Sequence, residues 1–345
     1  MMVAMRGDLL LKRINRMFRP ADQAVAVACA LLCLAGCGQR ASAPDLPHAP
    51  ASLTPRFYAP RGWTWGTIKL ADGQALRYGV ASPPVVPRAN VLILPDRSEP
   101  AEVWFETVGD LTDRGYTVWV LEAAEARGAG ALDPAKGALQ TMAGAVIRPS
   151  ARQPLVLVGQ GLGATLALRA MAEGRAPSVQ AALIASPTLE LASIDMDVAP
   201  EQVETAAEWA SRARLGWVEL PGDGQPRLTH VSAVGLDPRR AGLAAAWRRS
   251  DPSLRPRRTT LGWVWGYDQT ILAARGAASL AGVTAQLVMA ATADDQRAID
   301  ACKGMQACTL WPVPTSAPHL ARDAVRKLWL DRITTLVDSR PRGRR

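Results

Sequence analysis

The chain is 345 residues long and 48% hydrophobic, and it carries 40 basic against 31 acidic side chains for a formal net charge of +9. Such a length fits one large domain or two small ones. The apolar fraction supplies a sizeable buried core, so a globally disordered chain is excluded.

The first 36 residues predict an export signal rather than part of the fold. Lys12, Arg13, Arg16 and Arg19 precede an apolar run over 24–36, which is too short to cross a bilayer as a helix. Met17 is an alternative start that gives a signal of more usual length. The run ends in Leu34-Ala35-Gly36-Cys37, which resembles a bacterial lipobox and implies that Cys37 is lipidated and becomes the mature N-terminus. An ordinary secretory signal with an incidental cysteine is the other reading. The expectation is therefore a cell-envelope protein that faces the periplasm and is membrane-held through Cys37. Gly38 in place of an aspartate leans toward the outer membrane. Residues 37–60 carry Pro44, Pro47, Pro50, Pro55 and Pro60 without hydrophobic periodicity and predict an extended tether.

Beyond the tether, residues 67–70 and 75–80 flank the turn signal Asp72-Gly73 and predict an antiparallel hairpin at a sheet edge. Strands at 91–94 and 116–121 then alternate with helices at 101–114 and 134–147, followed by a strand, turn and helix over 155–173 and a strand at 181–184. After an irregular stretch the alternation resumes with a strand at 285–291, a helix at 296–303, a strand at 309–313 and a closing helix at 319–337. This pattern argues an α/β fold: a mostly parallel sheet with helices on both faces. The core is expected over 61–188 and 271–340, with 341–345 a basic tail. Residues 189–270, with a helix at 200–214, are expected to insert as a cap over the carboxyl ends of the strands.

Charge concentrates in that insertion. Between Ser211 and Thr260 ten arginines face four acids, a net +6, and Trp217, Trp247, Trp263 and Trp265 are interleaved with them. That composition suits an anionic membrane surface. It suits equally a solvated basic face with its tryptophans in the cap core. Elsewhere, Cys302 and Cys308 are the only cysteine pair in the body of the mature chain, where a disulfide and two reduced core cysteines are both open. No His or further Cys lies close to them in sequence, so no metal is expected there. No other cofactor and no nucleic-acid partner are expected.

The segment 155–173 predicts a buried strand, a Gly-rich turn and a helix, the layout in which Gly-x-Ser-x-Gly presents a serine nucleophile. Gly159 and Gly163 flank the turn, but its centre is Gly161, which has no side chain to attack with. Gly159-x-Gly161-x-x-Ala164 also fits a loose dinucleotide fingerprint. That reading is weak, because the next strand ends in Ile184-Ala185-Ser186-Pro187, with no acid for a ribose.

Several segments together resemble the lysophospholipase and monoacylglycerol-lipase-like (serine aminopeptidase-like) α/β hydrolases over roughly residues 60–338. Pro95-Asp96-Arg97-Ser98-Glu99 matches the family's His-Gly-Arg-x-Glu, and Phe105-Glu106 through Asp113-Arg114-Gly115-Tyr116 follows its next helix and turn. Thr259-Thr260-Leu261-Gly262-Trp263 echoes its cap phrase, and Leu228-Thr229, Asp237-Pro238-Arg239-Arg240 and Pro252-Ser253-Leu254 fall in register with its cap. The resemblance implies the α/β-hydrolase fold, His319 as catalytic base, Asp294 as the acid with Asp295 as a rival, and oxyanion-hole donors at positions Pro95 and Leu162. With Gly161 in place of serine and Pro95-Asp96 in place of His-Gly, a carboxylate stands where negative charge must develop. The expected function is a lipid-anchored protein of this fold, impaired as a hydrolase, that binds an acyl lipid or a protein partner. One alternative is an active esterase or lysophospholipase with a relocated nucleophile such as Ser98 or Ser186. A structural lipoprotein with a filled pocket is the other.

Overall fold

In a computed structural model, the protein is described over residues 49–69, 75–97, 99–123, 132–175, 178–191, 200–220, 237–254, 259–275, 286–292, 295–305, 307–313 and 319–339. Its strands are β1 (Thr64–Lys69), β2 (Ala75–Ala81), β3 (Ala89–Leu94), β4 (Tyr116–Leu121), β5 (Leu155–Gln160), β6 (Val179–Ala185), β7 (Gln286–Ala291) and β8 (Cys308–Pro312). They form one sheet in the order β1-β2-β4-β3-β5-β6-β7-β8. β2 pairs antiparallel with both β1 and β4, and every later pairing is parallel. The predicted hairpin partners pair as expected, while their turn, Asp72-Gly73, lies outside the described residues.

Helices cover both faces, so the central strands are largely apolar: β3 and β5 are buried at every residue, Asn90 and Gln160 included. Strand alternation sorts their side chains into two cores. Leu92, Leu94, Leu155, Leu157, Ile184 and Met289 face α2 (Leu132–Thr141), α3 (Leu162–Ala172), α4 (Pro200–Arg212), α7 (Leu261–Arg275) and α8 (Gln296–Lys303). Val91, Ile93, Val156, Val158, Leu183 and Val288 face α1 (Phe105–Asp113), α6 (Leu243–Ser250) and α9 (Arg326–Asp338).

The insertion is more helical, and more divided, than its sequence suggests. α7 is a 15-residue helix, running across the expected 270/271 boundary, where the sequence reads as irregular. It is buried nearly all round, at Gly262, Trp263, Val264, Gly266, Tyr267, Thr270, Ile271 and Ala274, so it carries no amphipathic stripe to read. α4 and α7 join the α3 side, whereas α6 crosses to the α1 side, where Trp247 meets Phe105 edge-on at 5.5 Å. The short α5 (Pro238–Ala241) ties that part down, because Arg240 makes a two-pronged contact with Glu106 on α1 at 2.6 and 2.8 Å. The tryptophans divide accordingly. Trp247 and Trp263 are buried, while Trp217, together with Trp209 of α4, is 65% exposed.

The closing helix begins at Arg326 rather than 319. Asp323 is extended (φ −84°, ψ 166°) and its carboxylate accepts from the Val325 amide, which stops a short 3-10 turn at Leu320–Arg322 before α9 starts. On the other side of the sheet a disulfide joins Cys302 at the end of α8 to Cys308 at the start of β8. Among the described residues no helix is long and apolar enough to cross a membrane.

The hairpin edge is fastened by one cation. Arg77 on β2 lies over the Trp65 ring and donates to two buried carboxylates, Glu122 at 2.6 and 2.9 Å and Glu102 at 2.8 and 2.9 Å. Burial, and the second carboxylate beside it, push Glu102 up to about 7 against the pull of Arg77. Removing the cation would leave both acids uncompensated, so Arg77→Ala is expected to cost about 3–5 kcal/mol. Urea unfolding checks this, and a loss under about 0.5 kcal/mol, the size of an ordinary surface change, would show that the cluster does not bear on stability.

Candidate active site

The site is built where β3 and β5 end side by side. β5 runs into Gly161, whose backbone (φ 54°, ψ −122°) turns sharply into α3. The Gly161 amide donates to the Ala185 carbonyl at the end of β6, and its own carbonyl takes the Thr165 amide in the first turn of α3. The turn is the strand-to-helix elbow expected over 155–173. Gly163 allows it to nest, since a Cβ there would collide with the carbonyls of Leu94 and Pro95.

The loop after β3 fills the elbow. Asp96 folds over Gly161 so that a Cβ at 161 would fall inside its carboxyl group. Its Oδ1 accepts the Leu162 amide at 2.7 Å and the Arg97 amide at 2.7 Å. These two N–H groups converge as an oxyanion hole must, and the oxygen they hold belongs to the protein itself. The Leu162 amide, expected as an oxyanion-hole donor, is given to Asp96. Pro95 has no amide hydrogen, and the second donor is Arg97. Burial pushes the Asp96 carboxyl above its usual range, with the His319 charge pulling it down and Glu99 pushing it up.

His319 caps the 3-10 turn before α9 and is buried, 5% exposed. Its Nδ1 lies 3.0 Å from Glu99 Oε1 and 3.0 Å from Gln160 Nε2, and the same Gln160 nitrogen donates to Glu99 Oε2 at 3.2 Å. Arg322, three residues beyond the histidine, binds Glu99 as well. Burial alone would raise the Glu99 carboxyl, but the Arg322 guanidinium and then His319 outweigh it and hold it down to about 2. An ionised Glu99 accepts the Nδ1 proton, which leaves Nε2 as the basic nitrogen of the ring. The carboxylate that meets His319 Nδ1 among the described residues is Glu99, from the β3 loop.

Of the acids expected after β7, Asp294 lies outside the described residues. Asp295 caps α8, its Oδ1 accepting from the Ala298 amide at 3.1 Å. The alternative nucleophile Ser98 is also outside the described residues. Ser186 follows β6 with φ 43° and donates its amide to Ala290, and it does not sit in the elbow. The sequence did not single out Glu99 or Gln160 as parts of the site. Glu99 stood in view as the last residue of the Pro95–Glu99 segment, whereas nothing local marked Gln160.

The insertion clamps this loop from above. The Arg97 guanidinium lies 3.7 Å from the centre of the Trp263 ring and donates to Thr259. Trp263 in turn stacks on Tyr267 at 5.2 Å. Burial raises the Tyr267 phenol, so it stays protonated beside Asp96. Asp96 as a residue keeps some exposure, unlike Glu99, Gln160 and His319, while its carboxyl group is enclosed.

No family profile and no curated sequence matches the chain. Solved structures do match its fold. A monoglyceride lipase of Saccharomyces cerevisiae superposes with a TM-score of 0.57 at 14% identity, covering 80% of this chain and 95% of the lipase. A monoacylglycerol lipase of Paleococcus ferrophilus gives 0.59 at 14%, covering 77% and 99%, and a carboxyl esterase of Bacillus coagulans gives 0.57 at 11%, covering 80% and 99%. The chain therefore has the α/β-hydrolase fold.

The overlap between Asp96 and a Cβ at 161 sets a thermodynamic test. Gly161→Ser introduces that clash together with a non-glycine residue at positive φ, which alone costs about 1–3 kcal/mol. The single variant is expected to exceed that range, and Asp96→Gly in the same chain is expected to recover part of the loss. Strictly additive changes in urea unfolding would mean that the two positions do not share space.

Proposed function

We propose that this chain is an envelope lipoprotein of the α/β-hydrolase fold in which serine-type ester hydrolysis has been lost. The observation that carries this reading is the Asp96 carboxylate, which stands where the nucleophile would stand and accepts both amides of the oxyanion hole. Acyl transfer needs a nucleophile on the elbow and an empty hole for the tetrahedral oxygen. Here neither is present, and two separate segments contribute to the loss. Removing the nucleophile from such a triad costs on the order of 10⁶ in turnover, and the residual rate normally depends on the hole that Asp96 occupies.

The same plug bears on ligands. An acyl carbonyl cannot enter a hole that already holds an anion, so the plug favours a filled scaffold over a receptor that grips a lipid by its ester. The lipase and esterase neighbours support the ancestry of the fold, and their chemistry does not carry over to a site without its serine. Attachment through Cys37 rests on the signal and lipobox-like sequence alone.

Two measurements test the reading. The mature protein is expected not to react with a fluorophosphonate probe nor to cleave short nitrophenyl esters, and robust labelling of the wild type would sink it. Separately, Cys37→Ser is expected to abolish incorporation of radiolabelled palmitate and to release the protein from the membrane fraction. Unchanged partitioning would remove the anchor.

A further inference from the structure

The insertion is not the face that best fits a membrane. Its exposed Trp209 and Trp217 lie on and just after α4, whose three acids, Glu201, Glu204 and Glu208, outnumber Arg212. The opposite edge of the sheet has the reverse balance. There the amino ends of β3, β4 and β5 lie together, with the Arg88 amide on the Gly115 carbonyl at 2.9 Å and the Asn90 amide on the Pro154 carbonyl at 2.8 Å. These strands are six residues long, so the edge lies about 20 Å from the elbow at their carboxyl ends.

The loop that enters β3 at this edge reads Ser82-Pro83-Pro84-Val85-Val86-Pro87-Arg88. Val85 and Val86 are 65% and 83% exposed, although both are apolar. The three prolines fix the φ angles around them, which favours valines held out from the fold over valines turned back to the core. They also remove three of the five amide donors of residues 83–87, and this lowers the cost of pushing the backbone into a region poor in water.

Arginines share the edge. Arg148 and Arg152, exposed on the loop that leads into β5, meet no acid among the described residues. Arg88 and Arg114 are balanced by Asp338 and Asp331 of α9, and Asp113 is the remaining acid of the turn before β4. Those contacts, with Ser339 Oγ 3.0 Å from the Gln286 side chain at the start of β7, bring the end of α9 to the same edge. Residues 340–345 follow it directly and hold four arginines and no acid.

We propose that this amino edge docks on an anionic lipid surface, with Val85 and Val86 set among the headgroups and the arginines on lipid phosphates. The apolar tip supplies burial, and each arginine close to anionic lipid adds an attraction of its own. The chain outside the described residues points to the same surface: four arginines follow α9, and only residues 38–48 separate the proposed anchor at Cys37 from the described chain. The docking face goes beyond the function proposed above and uses no residue of the elbow. It turns the insertion and the Asp96 cluster away from the bilayer.

The mature chain from Gly38 keeps every described residue and carries no lipid, so it separates this face from the anchor. It is expected to float with vesicles of phosphatidylcholine and phosphatidylglycerol in equal parts, to float less as salt rises, and not to float with pure phosphatidylcholine. Val85→Ser together with Val86→Ser is expected to weaken binding about tenfold. Arg148→Ala together with Arg152→Ala is expected to weaken it about fivefold per arginine and to flatten the salt dependence. All four side chains are exposed, so the urea midpoint is expected to stay where it is in the wild type. Trp209→Ser together with Trp217→Ser is expected to bind as the wild type does. Absence of wild-type flotation, which would leave an acidic protein surface as the partner, overturns the proposal. So does binding that survives the valine pair unchanged, or binding that is lost with the tryptophan pair. Palmitate incorporation and fluorophosphonate labelling read other residues, so failure here leaves the proposed function standing.

Discussion

A negative charge taken out of water needs compensation from fixed dipoles or cations, and at the centre of this fold that need is met by two backbone amides. Arg97 and Leu162 donate to a single oxygen of Asp96, and everything around the site follows from accommodating that carboxylate. Gly161 leaves it room, the Arg97 side chain stacks upward on Trp263, and the β3 loop is thereby fixed between the elbow and α7. A second acid, Glu99, lies three residues on and repels the first, so Arg322 and His319 are drawn in to balance it. The result is a cluster of alternating charge, most of it buried, in which each member depends on its neighbours.

The geometry also explains why the elbow forms with glycine at its centre. The tight turn is held by hydrogen bonds that do not involve the side chain at 161, from Gly161 to Ala185 and from Thr165 back to Gly161. Backbone pairing at the ends of β5 and β6 keeps the shape, and the turn aims the Leu162 amide at Asp96. Fold and chemistry are separable here at the level of individual atoms.

Much of the architecture was legible because a doubly covered parallel sheet leaves strong marks: short runs of Val, Leu and Ile, spaced by amphipathic helices. β4 and α8 begin and end where periodicity places them. The strands at 91–94 and 181–184 extend further in the structure, since pairing continues past the most apolar residues to Ala89 and Val179. α7 escaped because total burial erases the stripe that betrays a helix. In the site, Gly161, Leu162 and His319 were visible from the elbow motif and the resemblance. Glu99 as the partner of His319 was not, because the pairing joins residues more than two hundred positions apart and depends on where two loops meet. That Asp96 opposes oxyanion chemistry could be read from its charge. That it occupies the hole could not, because this depends on a side-chain direction set by the β3 loop.

The elbow also bears on reversibility. A non-glycine residue at its centre stores backbone strain of about 1–3 kcal/mol, a load that catalytic turns carry as the condition of their activity. Glycine at 161 carries no such load, and Asp96 fills the space that a side chain there would take. Each change makes the other harder to undo: restoring a side chain at 161 meets the carboxylate, while withdrawing the carboxylate alone exposes a turn with nothing to present. Selection acting one substitution at a time faces a loss in stability before any gain in chemistry. A side chain at the centre of this elbow would therefore require two coordinated changes, one at 161 and one at 96.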